Sequence, residues 1–292
     1  MDPVLYFGKI YIIEWLAAGD ARTGWELYDQ LQPIGLMSTP RIDVTYARVQ
    51  NKAEFIASVR SIRDDFRATR KLPLLHVETH GFQDGICSTS GDEILWPELM
   101  EELIPLNQLT QLRLWFILGA CEGLWGLKMV QPATRAAVLA LLGPNRPISA
   151  GALATALQTF YRSIFRDRNG NAAFTAMNDA VDPTSPTFGI VNAEMLFIDV
   201  YRAFLSDRCT REELSERVAQ IVAKKAAQFK AERGVGMWAH ELEHVRALAW
   251  EHVQAHEDHF DHYRRQFFFI DLFPENDERF PVTIDQCREA AG

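Results

Sequence analysis

Two short segments restrict what this chain can fold into more than any other part of it: Leu74-Leu75-His76-Val77-Glu78-Thr79-His80-Gly81 and Leu114-Trp115-Phe116-Ile117-Leu118-Gly119-Ala120-Cys121. Each is an apolar run that reads as a strand buried on both faces, the kind found in parallel sheets covered by helices above and below. Each also ends in a reactive side chain, His80 in one and Cys121 in the other. Ligands of open parallel sheets sit beyond the carboxyl ends of the strands, so a thiol and an imidazole at those ends would share one surface.

The rest of the first two hundred residues alternates in the same way. Strand patterns are predicted over 4–16, 42–49, 112–118 and 136–142, with helices over 24–32, 97–106 and 149–165. Between the second strand and the third, Asn51 can cap a helix whose Phe55, Val59, Ile62 and Phe66 fall on one face. Tracts 167–171 and 182–186 read as loops, and 189–197 as either a last strand or the start of a helix. This alternation is the signature of an α/β fold with a mostly parallel sheet. From Thr210 the pattern turns helical. Thr210 and Glu213 form a capping box, Gly234 and Gly236 interrupt, and 238–266 is helical again. The expected division is a sheet domain over residues 1–207 and a helical appendage over 208–292.

Composition narrows the function classes. With 48% hydrophobic residues the chain can bury a sizeable core, and it has no run of eighteen or more apolar residues and no signal-peptide layout. A cytoplasmic protein with no membrane partner is expected. Four cysteines, Cys87, Cys121, Cys209 and Cys287, form no CxxC pair, which argues against a disulfide framework and a zinc ribbon. A net charge of −9 without a basic cluster argues against direct nucleic-acid binding.

The residue types at the two strand ends suit nucleophilic catalysis. A free thiol is largely protonated near neutral pH and needs a nearby imidazole to take its proton. His80 can do that, while the N–H groups of Gly81 and Cys121 could hold the oxyanion formed when the thiolate attacks an amide. His76, on the same strand, is expected to pack or to orient its neighbours.

An apolar strand ending in His80-Gly81, followed by a second ending in Ala120-Cys121, resembles the caspase-like (clan CD) cysteine peptidases, including the bacterial CHAT proteins. Between them, Phe82-Gln83-Asp84-Gly85-Ile86, then Gly91-Asp92-Glu93-Ile94 and a helix from about Trp96, resemble the loop, hairpin and helix of that family. Arg22-Thr23-Gly24 is similar to the Arg-x-Gly that opens its first helix. The likeness spans roughly residues 5–205. Where caspases have Gln-Ala-Cys-x-Gly, this chain has Gly119-Ala120-Cys121-Glu122-Gly123. The resemblance implies a caspase-like three-layer α/β/α sandwich and a cysteine endopeptidase acting on a protein substrate without a cofactor. By it, Cys121 is the nucleophile, His80 the base, and Arg22 a substrate-binding residue for an acidic side chain. Asp20, Asp84 and Glu122 could instead form a pocket for Arg or Lys. Likeness to bacterial CHAT and caspase-like proteins implies a separate activating protein, in antiviral defence or cell death.

Two other classes stay open. The fold could serve as a catalytically inactive interaction scaffold. Alternatively, His240-Glu241-Leu242-Glu243-His244 matches the H-E-x-x-H of zinc hydrolases, with Glu251, His256 or Glu257 as a third ligand. Its longer protease form fails at Ala247 and Trp250, and a solvated histidine-rich helix face with no metal is the expectation.

Overall fold

A six-stranded path runs through the first part of the computed structural model, which describes residues 6–88, 91–121, 123–124, 134–254 and 256–288. Its strands are β1 (Lys9–Trp15), β2 (Asp43–Arg48), β3 (Pro73–Phe82), then β6 (Trp115–Gly119), β7 (Ala140–Pro144) and β8 (Phe188–Asn192). Between β3 and β6 lie two short strands, β4 (Gly85–Cys87) and β5 (Glu93–Leu95). The order across the sheet is β2-β1-β3-β6-β7-β8, parallel throughout except for β8, with β4 and β5 forming an antiparallel extension of β3. The mostly parallel sheet flanked by helices that the sequence predicts is therefore present. Because β1 lies between β2 and β3, the chain leaves β1 toward one edge and returns to the other side of it, a topological switch point at which the loops after β1 and β3 diverge.

Side-chain alternation builds the two layers. Tyr11, Ile13, Trp15, Leu75, Val77, Phe116 and Leu118 point to one face, where they pack with α2 (Lys52–Thr69) and α3 (Trp96–Leu109). Ile10, Ile12, Leu74, Ile117 and Leu142 point to the other, against α1 (Thr23–Met37), α4 (Ala150–Asp167) and α5 (Gly170–Asp179). The helix starts are set locally: Asn51 accepts the Glu54 N–H at 2.9 Å, and Ser149 and Asn169 cap α4 and α5 in the same way.

Several boundaries differ from the sequence reading. Helix α1 continues through Pro33 to Met37, since a proline removes one backbone donor and the buried Leu27, Leu31 and Gly35 keep the helix on the sheet. Strand β7 begins at Ala140 rather than 136 and takes in Gly143 and Pro144. Helix α5, in and after the tract read as a loop, has a weak apolar pattern and is held by buried Ala173 and Met177. The ambiguous stretch near 189 is both things in turn, strand β8 and then α6 (Ala193–Arg208).

The chain divides into two compact units, the first ending at Ala193. In the second, α7 (Arg211–Arg233) is capped by Thr210, whose hydroxyl accepts the Glu213 N–H at 3.2 Å. It packs with α8 (Ala239–Gln254) through Leu214, Val218, Ala249 and Val253. Then come α9 (His256–Phe267), α10 (Asn276–Arg279) and α11 (Ile284–Arg288). An aromatic cluster of Phe197, Tyr201, Phe260, Phe267 and Phe268 fills this unit, with ring centroids 5.1–5.7 Å apart. Among the described residues, no helix is long and apolar enough to cross a membrane.

Candidate active site

Register brings the two reactive residues to the same level of the sheet. β3 and β6 are adjacent and parallel, with Glu78 opposite Gly119, and two residues further along the chain stand His80, still within β3, and Cys121, just past the end of β6. The chain turns directly after β6, the Gly123 N–H donating to the Ala120 carbonyl at 3.2 Å, so Cys121 sits half-buried at a corner. On the other side β3 does not stop at Thr79 but runs on to Phe82 and folds back through Gln83 and Asp84 into β4. His80 is thus held inside a strand, opposite Cys87, with two more residues of β3 beyond it.

Gly81 is where the two segments touch. A methyl built on its Cα would overlap the Cys121 carbonyl oxygen and stand 3.2 Å from the Ala120 Cβ, so only glycine permits this approach. The two-residue hairpin pairs Phe82 with Gly85, and hydrogen-bonded and open pairs alternate along such a ladder. Gly81, opposite Ile86, therefore falls at an open position, with its N–H directed away from β4.

The third strand end contributes Asp20. It closes a tight turn after β1, its N–H donating to the Ala17 carbonyl at 3.2 Å and its carboxylate accepting the Ala17 N–H at 2.9 Å. The same carboxylate oxygen lies 3.0 Å from His80 Nε2. That hydrogen bond, more than any other contact, holds the Asp20 carboxyl below the usual carboxylate range. His80 remains 43% exposed, accessible to a substrate. The sequence alone offers Asp20 only as part of a pocket for Arg or Lys; its spacing of 60 residues from His80 carries no local signal of the pairing.

Arg22 lies just before α1, with its guanidinium 3.7 Å from Glu14, 3.2 Å from the Tyr46 hydroxyl and over the Trp25 ring. Glu14 is fully buried and also accepts the Tyr46 hydroxyl at 2.8 Å and the Trp25 N–H at 3.0 Å. Arg22 is thus engaged, though 46% of its side chain is exposed. Asp84 is exposed at the hairpin turn, and Glu122 lies outside the described residues.

Of the other three cysteines, Cys87 and Cys209 are half-buried and Cys287 is buried. Burial pushes the Cys87 and Cys209 thiols up, and Cys287 up to about 11. On α8, His240 and His244 are exposed, and Glu241 is occupied in accepting the Trp238 N–H at 2.8 Å at the helix start. Glu251 is exposed, and the side chains of His256 and Glu257 lie outside those described. Among the described residues no three His, Cys, Asp or Glu side chains converge into a metal-binding group.

No protein-family model matches the chain, and no curated protein matches it by sequence. Among solved structures it is similar to the caspase-1 of Spodoptera frugiperda, with 14% identity, 64% of this chain and 88% of that chain covered, and a TM-score of 0.45.

Proposed function

We propose that this chain is a cysteine endopeptidase of caspase-like type. The observation that carries the reading is the delivery of His80 and Cys121 by adjacent parallel strands in matching register, with Gly81 against the Cys121 main chain. Cys121 gives its proton to His80 and attacks the peptide carbonyl. The N–H groups of Gly81 and Cys121 receive the developing oxyanion. His80 then protonates the leaving amine, and water, deprotonated by the same imidazole, releases the acyl group. The Nε2–H of His80 donates to the Asp20 carboxylate, leaving Nδ1 as the nitrogen that serves the thiol. No cofactor enters this chemistry. A protein substrate, a separate activating protein and a cytoplasmic role in defence or cell death belong to the proposal through the resemblance of the motifs alone.

Limited alkylation tests the assignment of the nucleophile. At neutral pH a small reagent such as iodoacetamide is expected to modify Cys121 ahead of Cys87, Cys209 and Cys287, whose burial keeps them protonated. His80→Ala should slow that reaction, and Asp20→Asn should slow it by about tenfold, the equivalent of one hydrogen bond. Equal labelling of Cys121, Cys87 and Cys209, read by peptide mass, would favour the inactive scaffold.

Specificity is assigned to Arg22, whose exposed half can receive an acidic side chain in competition with Glu14. A peptide library should then be cut after Asp or Glu, and Arg22→Ala should lose those cuts while Cys121 still alkylates. Cleavage after Arg or Lys would transfer the pocket to Asp84 and Glu122.

A further inference from the structure

Directly beneath the two strand ends lies a buried polar chain that the proposed chemistry does not use. His76 Nε2 is 2.7 Å from Glu78 Oε1, and His76 Nδ1 is 3.0 Å from the Tyr161 hydroxyl on α4. The other Glu78 oxygen accepts the Thr23 hydroxyl at 2.9 Å, at the first residue of α1. His76 and Tyr161 are 0% exposed, Glu78 1% and Thr23 6%. Burial, and then the neighbouring Glu78 carboxylate, push the Tyr161 hydroxyl well up, so it stays a phenol that can donate.

The place of this chain in the sheet is what makes it informative. Glu78 is opposite Gly119 in the β3–β6 register, two residues before His80 on one strand and two before Cys121 on the other. A methyl built on Gly119 would stand 2.7 Å from the carboxyl carbon and from both carboxyl oxygens of Glu78. The carboxyl group therefore fills the space that the missing Gly119 side chain leaves. Through Thr23 it also reaches the segment that carries Asp20 and Arg22. An apolar side chain would fill a core layer at lower desolvation cost; a buried carboxyl group with its hydrogen bonds satisfied adds a defined geometry instead.

We propose that Glu78 is a positioning residue: its carboxyl group, held by His76 and Thr23 and seated on Gly119, sets the spacing of the strand ends that carry His80 and Cys121. The proposal rests on the cysteine-peptidase reading. A displacement of about 1 Å between reacting groups lowers turnover by about 10²-fold, so the network acts on kcat rather than on substrate affinity.

The test uses the full chain with a cleavable peptide, the active thiol being counted by titration with an irreversible alkylating reagent. Glu78→Gln should lower kcat per titrated thiol about 100-fold with KM little changed, and should slow Cys121 alkylation in parallel. Thr23→Val keeps Glu78 bonded to His76 and should lower kcat per titrated thiol about tenfold, which keeps the test decisive if Glu78→Gln fails to fold. Gly119→Ala should slow turnover in the wild-type background and add nothing further in Glu78→Ala, because the two changes act on one contact. A purely structural Glu78 would lower the melting temperature and the titratable fraction while kcat per titrated thiol stayed at the wild-type value in Glu78→Gln and Thr23→Val; that result overturns the proposal. Cleavage retained by Cys121→Ala would instead remove the peptidase reading beneath it.

Discussion

Cys121→Ala is expected to lose proteolysis completely while keeping its fold, because Cys209 and Cys287 lie outside the sheet, burial pushes up the thiol of Cys87 on β4, and no acyl-enzyme can form at Cys121 without its sulfur. His80→Ala should lower turnover by about 10²–10⁴-fold, the range for removing a positioned acid–base group. The double variant should be no worse than Cys121→Ala alone, since groups that act as a unit do not lose activity additively. Cys121 is half-buried and His80 is 43% exposed, so neither truncation opens a large cavity and thermal melting should change little. Circular dichroism and melting establish that the fold is intact, and a fluorogenic peptide or a cleaved protein reports activity. Undiminished cleavage by Cys121→Ala would falsify the proposed mechanism outright.

Gly81→Ala carries the second large effect. The added methyl meets the carbonyl oxygen of Cys121, a main-chain atom that cannot rotate aside as a side chain could. β3 is held in register by β1 and β6 and, beyond Thr79, by β4, so the overlap must be relieved by moving either the hairpin or the Cys121 corner. Overpacking of this kind costs about 1–3 kcal/mol of stability. A shift of about 1 Å in either segment would reduce kcat/KM about 10²-fold. Gly151→Ala on α4 provides the control, since its methyl meets nothing within 4 Å and alanine is the better helix former. Kinetics and melting on both variants decide the matter: equal behaviour of the two would show that the close approach at Gly81 plays no part.

Much of the architecture was legible in the chain as written. Runs such as Leu74-Leu75 and Phe116-Ile117-Leu118 are apolar on both faces, so they can lie only where helices cover a sheet on both sides. The spacing of Phe55, Val59, Ile62 and Phe66 and the cap at Asn51 define α2 from neighbours within a few residues. His80 and Cys121 stood out because each follows such a run directly. These signals are local: they depend on periodicity and on hydrogen bonds that a short segment can make with itself. What only the tertiary structure decided involves pairs far apart in the chain. Pro33 stays inside α1 because Leu31 and Gly35 are buried against the sheet, and α5 exists because Ala173 and Met177 find a core to enter. The β3–β6 register puts Glu78 on Gly119, and with it His76, Tyr161 and Thr23 into one buried chain, although Glu78 alone reads as an unexplained charge in an apolar strand. Asp20 reaches His80 only because β1 and β3 are neighbours at the switch point, so that the tight turn after β1 lies beside the far end of β3. Sequence periodicity says which face of a strand is apolar; which strand lies beside it, and at what register, is set by the packing of the whole sheet.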